Sequence, residues 1–128
     1  MSVKPSRHPL QRILLAEDDD SMRQFLEKAL GKAGYDVKAF GNGVEAFARL
    51  QEEPFTLLLT DIVMPEMDGI ELARRASEFD PELKIMFITG FAAVTLNPDK
   101  RPPGDAKVLS KPFHLRDLVK EIDQLLAS

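Results

Sequence analysis

The side chains best suited to chemistry follow the ends of short apolar runs. Glu17 and Asp18 come directly after residues 13–16, and Asp61 follows the leucines at residues 57–59. A run of this length is typical of a strand that is buried on both faces. A carboxylate at the end of such a strand could accept a phosphoryl group, bind a metal ion, act as a base, or cap the next turn.

Two other polar side chains end later apolar runs in the same way. Thr89 ends the run at residues 84–89, and Lys111 follows the run at residues 107–110. In an open α/β sheet, the carboxyl ends of parallel strands meet at one edge, and ligands bind there. Each residue alone has an ordinary explanation as a cap, a strand residue or a surface charge. Chance is a poor explanation for polar residues at all of these strand ends together. The five residues are Glu17, Asp18, Asp61, Thr89 and Lys111.

Three carboxylates at one edge repel one another, and each raises the pKa of the others. A magnesium ion relieves this repulsion because it prefers carboxylate and carbonyl oxygens and keeps several waters. Lys111 adds a point charge suited to a phosphoryl oxygen, and the Thr89 hydroxyl can donate to another. The set predicts a site where Asp61 attacks phosphorus and holds an acyl phosphate.

Amphipathic segments separate the strand-like runs, and each predicts a helix with one packing face. For the first two helices, the predicted packing faces are Met22, Phe25, Leu26, Ala29, Leu30 and Ala33, then Val44, Ala46, Phe47 and Leu50. Strands and helices alternate five times, with one irregular stage. This alternation predicts an α/β fold with a five-stranded parallel sheet and helices on both faces.

The irregular stage lies before the fifth strand, where residues 97–105 contain three prolines. Proline removes amide donors and disfavours helix in the preceding residue, so we expect the fourth helix to be short or replaced by a loop. Residues 1–11 are polar and aperiodic, which favours a disordered leader. Residues 12–128 are then expected to form one domain.

Composition excludes several classes of function. The formal net charge is −4 and no basic run compensates for it, so nucleic acid is a poor candidate partner. The absence of cysteine excludes disulfides and thiolate metal sites. Because no apolar run is long enough to span a bilayer and no signal peptide is evident, we expect no membrane insertion and a cytoplasmic location.

Taken together, these motifs resemble the receiver domain of two-component response regulators. The resemblance rests on Glu17-Asp18, Asp61 with Met64-Pro65 and Asp68-Gly69, Thr89-Gly90, and Lys111-Pro112-Phe113. It implies the flavodoxin-like fold with strand order 2-1-3-4-5. It also implies that the protein is not an enzyme with a separate substrate, and catalyses only its own magnesium-dependent phosphorylation and slow dephosphorylation.

The resemblance also implies a role for each site residue. The implied Mg²⁺ ligands are the carboxylates of Glu17, Asp18 and Asp61 and the backbone carbonyl of Val63. Asp61 corresponds to the phosphoacceptor, Thr89 to the switch hydroxyl, and Lys111 to the phosphoryl-binding lysine. One position departs from the pattern, because Val108 stands where receivers often carry a switch aromatic.

Within receivers, residues 59–76 and 85–93 are similar to the CpdR-type single-domain response regulators. That similarity implies a stand-alone switch in a cell-cycle phosphorelay, phosphorylated by a histidine kinase or histidine phosphotransfer protein. It further implies control of proteolysis through ClpX, the ClpXP protease and its substrates. The alternatives are a phosphorylation-independent adaptor or scaffold with a relic acidic site, and a phosphatase, which would commonly carry an acid where Val63 stands.

Overall fold

The computed structural model describes residues 11–89, 107–111 and 113–127, and the structural statements below concern these residues. Two predictions lie outside them. The disordered leader, apart from Gln11, and the short or absent fourth helix both fall on residues that are not described.

Five parallel strands form a single sheet. They are Arg12–Ala16 (β1), Asp36–Phe40 (β2), Leu57–Asp61 (β3), Lys84–Thr89 (β4) and Lys107–Ser110 (β5). Their order is β2-β1-β3-β4-β5, and every neighbouring pair is parallel. The predicted order of the flavodoxin-like fold is therefore confirmed. β3 lies at the centre, and all five of its residues are buried.

Four helices are described: Asp20–Lys32 (α1), Gly43–Glu52 (α2), Gly69–Phe79 (α3) and Leu115–Ala127 (α4). The first three begin with side-chain caps, in which a carboxylate or amide oxygen accepts a backbone N–H two or three residues into the turn. These pairs are Asp19 with Met22, Asn42 with Glu45, and Asp68 with Glu71, at 2.9, 2.8 and 2.8 Å. No helix in the described part of the chain combines the length and apolar character needed to cross a membrane.

The alternation of side chains along the buried strands builds two separate cores. In β1, Ile13 and Leu15 pack on one face of the sheet, while Leu14 and Ala16 pack on the other. Helices α1 and α4 cover the first face, and α2 and α3 cover the second. The prediction of helices on both faces is confirmed, and this covering holds the ends of the strands at fixed positions.

Arg12 links several segments at the edge where the strands begin, which is here called the amino edge. Its Nε donates to Asp36 Oδ2 at 3.1 Å, its Nη1 donates to the Pro54 carbonyl at 3.0 Å, and its Nη2 pairs with Glu53. The guanidinium also lies 4.9 Å from the ring centroid of Phe55. One cation thus links the starts of β1 and β2 to the end of α2.

Candidate functional site

The opposite edge, here called the carboxyl edge, has Asp61 at its centre. Asp61 is the last residue of β3, between β1 and β4, and only 7% of its surface is exposed. The residue that follows it is also fixed, since the N–H of Ile62 donates to the Ile88 carbonyl at 3.2 Å. The fold therefore holds this carboxylate at a shallow depth below the surface.

Glu17 and Asp18 reach the same point from the end of β1. The backbone N–H of Glu17 donates to the Phe40 carbonyl at 3.0 Å, and the N–H of Asp19 donates to Glu17 Oε2 at 3.1 Å. Glu17 is fully buried, whereas Asp18 is exposed. Carboxylate oxygens of Glu17, Asp18 and Asp61 all lie within 4.8 Å of one another. The structure brings the three predicted acids together.

Lys111 approaches these acids from the end of β5. Its Nζ lies 3.2 Å from Glu17 Oε1 and 3.1 Å from Asp61 Oδ2. Burial lowers the pKa of Lys111, but the carboxylates of Asp61 and Glu17 outweigh burial and raise it above the ordinary value. Lys111 is therefore a fixed positive charge beside Asp61.

One ammonium group does not balance three carboxylates. Burial and, to a lesser degree, the charge of Asp61 raise the pKa of Glu17 to about 7, against the opposing effects of the Asp19 N–H and of Lys111. Hard oxygen donors with excess negative charge are what Mg²⁺ prefers. The acidic cluster of Glu17, Asp18 and Asp61 fits the magnesium site that receiver domains carry.

Thr89 and Val63 belong to the same edge of the sheet, Thr89 as the last residue of β4 and Val63 as the second residue after β3. Thr89 is fully buried at the end of β4, directly after Ile88, which is paired in register with Asp61. The Thr89 carbonyl accepts the backbone N–H of Lys111 at 2.7 Å, so the two residues are directly linked. Val63 follows Asp61 on the β3–α3 loop and is 51% exposed. The roles of Thr89 and of the Val63 carbonyl remain predictions.

Arg23 is a residue of this site that the motifs did not reveal. From the first turn of α1, its Nη1 donates to the backbone carbonyl of Glu17 at 2.9 Å, and its Nη2 binds Asp20 at 2.5 Å. A Cβ at Gly41 would lie 3.2 Å from Arg23 Nη1, so the guanidinium also packs against the β2–α2 turn. The spacing of apolar residues in α1 does not predict this contact. The only signal in the sequence is that an arginine follows the acidic residues 17–20.

Gly69 is the second residue whose role was missed. A Cβ at this position would lie 1.9 Å from the Asp61 carbonyl oxygen, which no side chain can occupy. The Gly69 N–H also donates to the Ile62 carbonyl at 2.7 Å. The sequence places the Asp68-Gly69 pair in a motif, but only the structure shows that α3 begins in contact with the Asp61 carbonyl at the end of β3.

Val108, the position that departs from the receiver pattern, lies in a small apolar cluster. It is partly buried against Ile62, Ala73 and Phe87, on the side of the sheet next to α3. An aliphatic side chain thus occupies the place on β5 where receivers often carry an aromatic ring.

The sequence matches the family described as the response regulator receiver domain over residues 13–123. The chain therefore belongs to the receiver domains of response regulators. It is 76% identical over 117 residues to the response regulator receiver protein CpdR of Brucella abortus (strain 2308), covering 91% of this chain and 98% of that protein. The predicted similarity to CpdR-type regulators is confirmed.

Two other relatives extend the comparison. A solved response regulator receiver protein from Sinorhizobium medicae WSM419 superposes with a TM-score of 0.83 at 32% identity, covering 94% of this chain and 97% of that one. The sensor kinase CckA of Brucella abortus (strain 2308) is 36% identical over 118 residues, which are 89% of this chain but 12% of the kinase. The same domain thus occurs within a much larger signalling protein.

Proposed function

We propose that Asp61 accepts a phosphoryl group from a phosphohistidine donor, a histidine kinase or a histidine phosphotransfer protein. The observation that carries this proposal is the contact between Asp61 Oδ2 and Lys111 Nζ at 3.1 Å, beside two further carboxylates. An acid that served only as a helix cap would have no reason to meet a lysine from β5. Family membership supports the same role, since aspartyl phosphorylation is typical of receivers.

The transfer forms one bond and breaks another. A carboxylate oxygen of Asp61 attacks phosphorus, the phosphorus–nitrogen bond of the donor breaks, and the leaving imidazole takes up a proton from solvent. Lys111 Nζ, already held beside Asp61, binds an oxygen of the arriving phosphoryl group. The chain performs this reaction once on itself and acts on no separate substrate.

Glu17, Asp18, Asp61 and the carbonyl of Val63 would hold the magnesium ion that this chemistry uses. When bound, the ion neutralises charge that builds up on the phosphoryl oxygens during transfer. Glu17 is well placed to share in that binding because its backbone is fixed by Phe40 and its carboxylate by Asp19 and Lys111.

The phosphoryl group adds about 1.5 to 2 negative charges at the end of β3. Lys111 and the Thr89 hydroxyl move to meet it. Because the N–H of Lys111 is bonded to the Thr89 carbonyl, movement of one residue is passed to the other and to the start of α4. The expected coupling between the site and the surface is about 1–3 kcal/mol.

Similarity to CpdR supports a more specific output, namely control of regulated proteolysis by ClpXP in the cell cycle. In this proposal the protein acts as a stand-alone switch, and its unphosphorylated form primes the protease through contact with ClpX. Phosphorylation of Asp61 then ends the priming.

The phosphoacceptor is tested with acetyl phosphate and magnesium, followed by intact-protein mass spectrometry. The wild-type chain gains one phosphoryl mass, which hydroxylamine removes because the bond is an acyl phosphate. Asp61→Asn gains none, while Glu66→Gln, an exposed acid on the following loop, is labelled like the wild type. Labelling that persists in Asp61→Asn would refute the assignment.

The output is tested by measuring binding of purified ClpX to three forms of the chain. Wild type and Asp61→Ala should bind alike, and wild type treated with beryllofluoride, which mimics the phosphoryl group, should bind more weakly. Equal binding by all three forms would favour the phosphorylation-independent adaptor instead.

A further inference from the structure

Helices α2 and α3 end side by side near the amino edge and leave a groove of about 310 Å³ between them. Exposed Pro54 contributes its apolar surface, with Leu50 buried at its base, and Phe79 lines it from the last turn of α3. The groove belongs to the face of the sheet covered by α2 and α3, away from the strand ends that carry the acids of the carboxyl edge.

The ring of Phe79 is held in place but is only half covered. It packs edge-on against Phe47, with 6.2 Å between centroids and 83° between planes, yet 50% of Phe79 is exposed. A fixed aromatic ring with an exposed surface is a common anchor for binding partners because little conformational freedom is lost on contact. The exposed face of Phe79 can therefore contact a side chain of a binding partner.

The charge around this ring is unfavourable for the chain alone. Both helix ends carry negative partial charge, which disfavours acids there. Nevertheless, acidic residues cap both helices, Glu53 on α2 and Asp80 on α3, and α3 has no basic residue in its last turn. Arg49 binds Glu53 at 2.8 Å and contacts Glu52 at 3.6 Å, whereas the Asp80 carboxylate accepts the backbone N–H of Glu82.

Two other phenylalanine rings of this chain lie close to carboxylates, and in both cases an arginine covers the ring. Arg12 lies over Phe55 at 4.9 Å while it binds carboxylates at the amino edge. Arg49 lies over Phe40 at 5.6 Å and binds acids at the end of α2. Phe79 offers a third ring beside carboxylates, and no arginine or lysine of the described residues covers it.

We propose that this groove docks a segment of a partner protein that places an arginine over Phe79. The guanidinium faces Asp80 and Glu52, and an apolar side chain next to the arginine packs on exposed Pro54. Arginine is favoured over lysine because its planar group can stack on a ring and bind a carboxylate together. The contact does not depend on phosphorylation, since none of these residues belongs to the acidic site.

The test uses the full ¹⁵N-labelled chain and the peptide acetyl-Gly-Leu-Arg-Leu-Gly-amide as a probe, followed by NMR titration. Saturable shifts are expected at the amide signals of Gln51, Glu52, Phe79 and Asp80. Phe79→Ala should weaken binding about tenfold through loss of the ring, and Asp80→Asn about threefold through loss of charge. Asparagine keeps the acceptor for the Glu82 N–H, so this second variant preserves the turn.

Matched controls separate this contact from general stickiness. Phe25→Ala removes an equally exposed phenylalanine, at 53%, from α1 and should leave binding unchanged. A peptide with citrulline, the uncharged isostere, should bind about tenfold more weakly than the arginine peptide. Equal binding of the citrulline peptide, or of a peptide with lysine in place of arginine, would overturn the proposal. Equal losses in Phe25→Ala and Phe79→Ala, or peptide-induced shifts that do not include Phe79 and Asp80, would also overturn it. Acetyl phosphate labelling of Phe79→Ala should match the wild type.

Discussion

The two edges of the sheet use the same residue types to opposite effect. At the amino edge, one arginine meets two carboxylates, a carbonyl and a ring, so its polar groups are bound by the chain itself. At the carboxyl edge, one lysine pairs with two of three clustered carboxylates, and the negative charge of the cluster exceeds the charge of that lysine. The first arrangement balances its own charges, and the second leaves negative charge that a bound cation can balance.

Two glutamates make the contrast measurable. The guanidinium groups of Arg49 and Arg12 hold the pKa of Glu53 below its ordinary value. Burial and the charge of Asp61 raise the pKa of Glu17 to about 7. A carboxyl whose charge is stabilised belongs to the framework, whereas one whose charge is costly marks a place where function has been favoured over stability.

The largest effect on stability should come from removing the cation of the amino edge. Arg12→Met loses hydrogen bonds to Asp36 and Pro54 and a ring contact, so the free energy of unfolding should fall by about 2 kcal/mol. Urea denaturation followed by circular dichroism measures this, since the chain has no tryptophan. Labelling by acetyl phosphate should not change at a temperature where the variant is folded. Loss of labelling there would mean that the two edges are not independent.

The opposite result is expected at the carboxyl edge. Without magnesium at pH 8, Glu17→Gln should raise the free energy of unfolding by about 1–2 kcal/mol, because a buried charge is removed while the acceptor for the Asp19 N–H is kept. Isothermal titration calorimetry should show Mg²⁺ binding weakened at least about tenfold. A variant that is both less stable and unable to bind magnesium would mean that Glu17 is a structural acid.

The two glutamates also predict opposite responses to pH in magnesium-free buffer. Between about pH 4.5 and 7 the unfolded chain releases the Glu17 proton while the folded chain retains it, so this group lowers the free energy of unfolding as pH rises. Glu53 contributes stability above the ordinary carboxyl pKa, and that contribution is lost as pH falls through its lowered pKa. The difference between wild type and Glu17→Gln, measured by denaturation at several pH values, isolates the first effect. A difference that does not vary with pH would contradict it.

The smallest effect concerns Arg23, which supports the carboxyl edge without contacting its reacting atoms. Arg23→Ala should weaken Mg²⁺ binding about fivefold, because the Glu17 carbonyl and the β1–α1 loop lose an anchor worth about 1 kcal/mol. Arg23→Lys should recover part of the affinity. Thermal stability is measured on the same variants. If Arg23 only maintained the general structure, both magnesium affinity and thermal stability would also fall in Arg23→Lys.

The sequence predicted the sheet closely because a buried parallel strand appears in the sequence as a short continuous run of apolar residues. Each apolar run fell within one or two residues of a strand, and the order across the sheet followed from the family motifs. Amphipathic period was less reliable for single side chains. Phe25 and Val44 were predicted to face the core, but they are 53% and 47% exposed. The apolar stripe on α1 is wider than the surface it covers, so Leu26 and Leu30 fill the contact and Phe25 lies beyond it.

The acids of the carboxyl edge were predictable because parallel strands bring their ends together regardless of loop detail. The contacts of Arg23 and Gly69 were not, since they depend on distances between segments that no periodicity encodes. A glycine at the start of a helix is often only a cap, and the 1.9 Å from its would-be Cβ to the Asp61 carbonyl appears only in three dimensions.

The complete burial of β3 has a consequence for experiments that follow amide hydrogens. Every residue from Leu57 to Asp61 is buried, and neighbouring strands pair with it on both sides. Exchange of these amides with deuterium therefore requires the whole domain to open, so their rates report its global stability. The amide of Asp61 is itself one of them. A phosphoryl group at that position would be attached to a fully buried strand, and a change in the exchange rate of this strand would report how strongly the modification stabilises the entire fold.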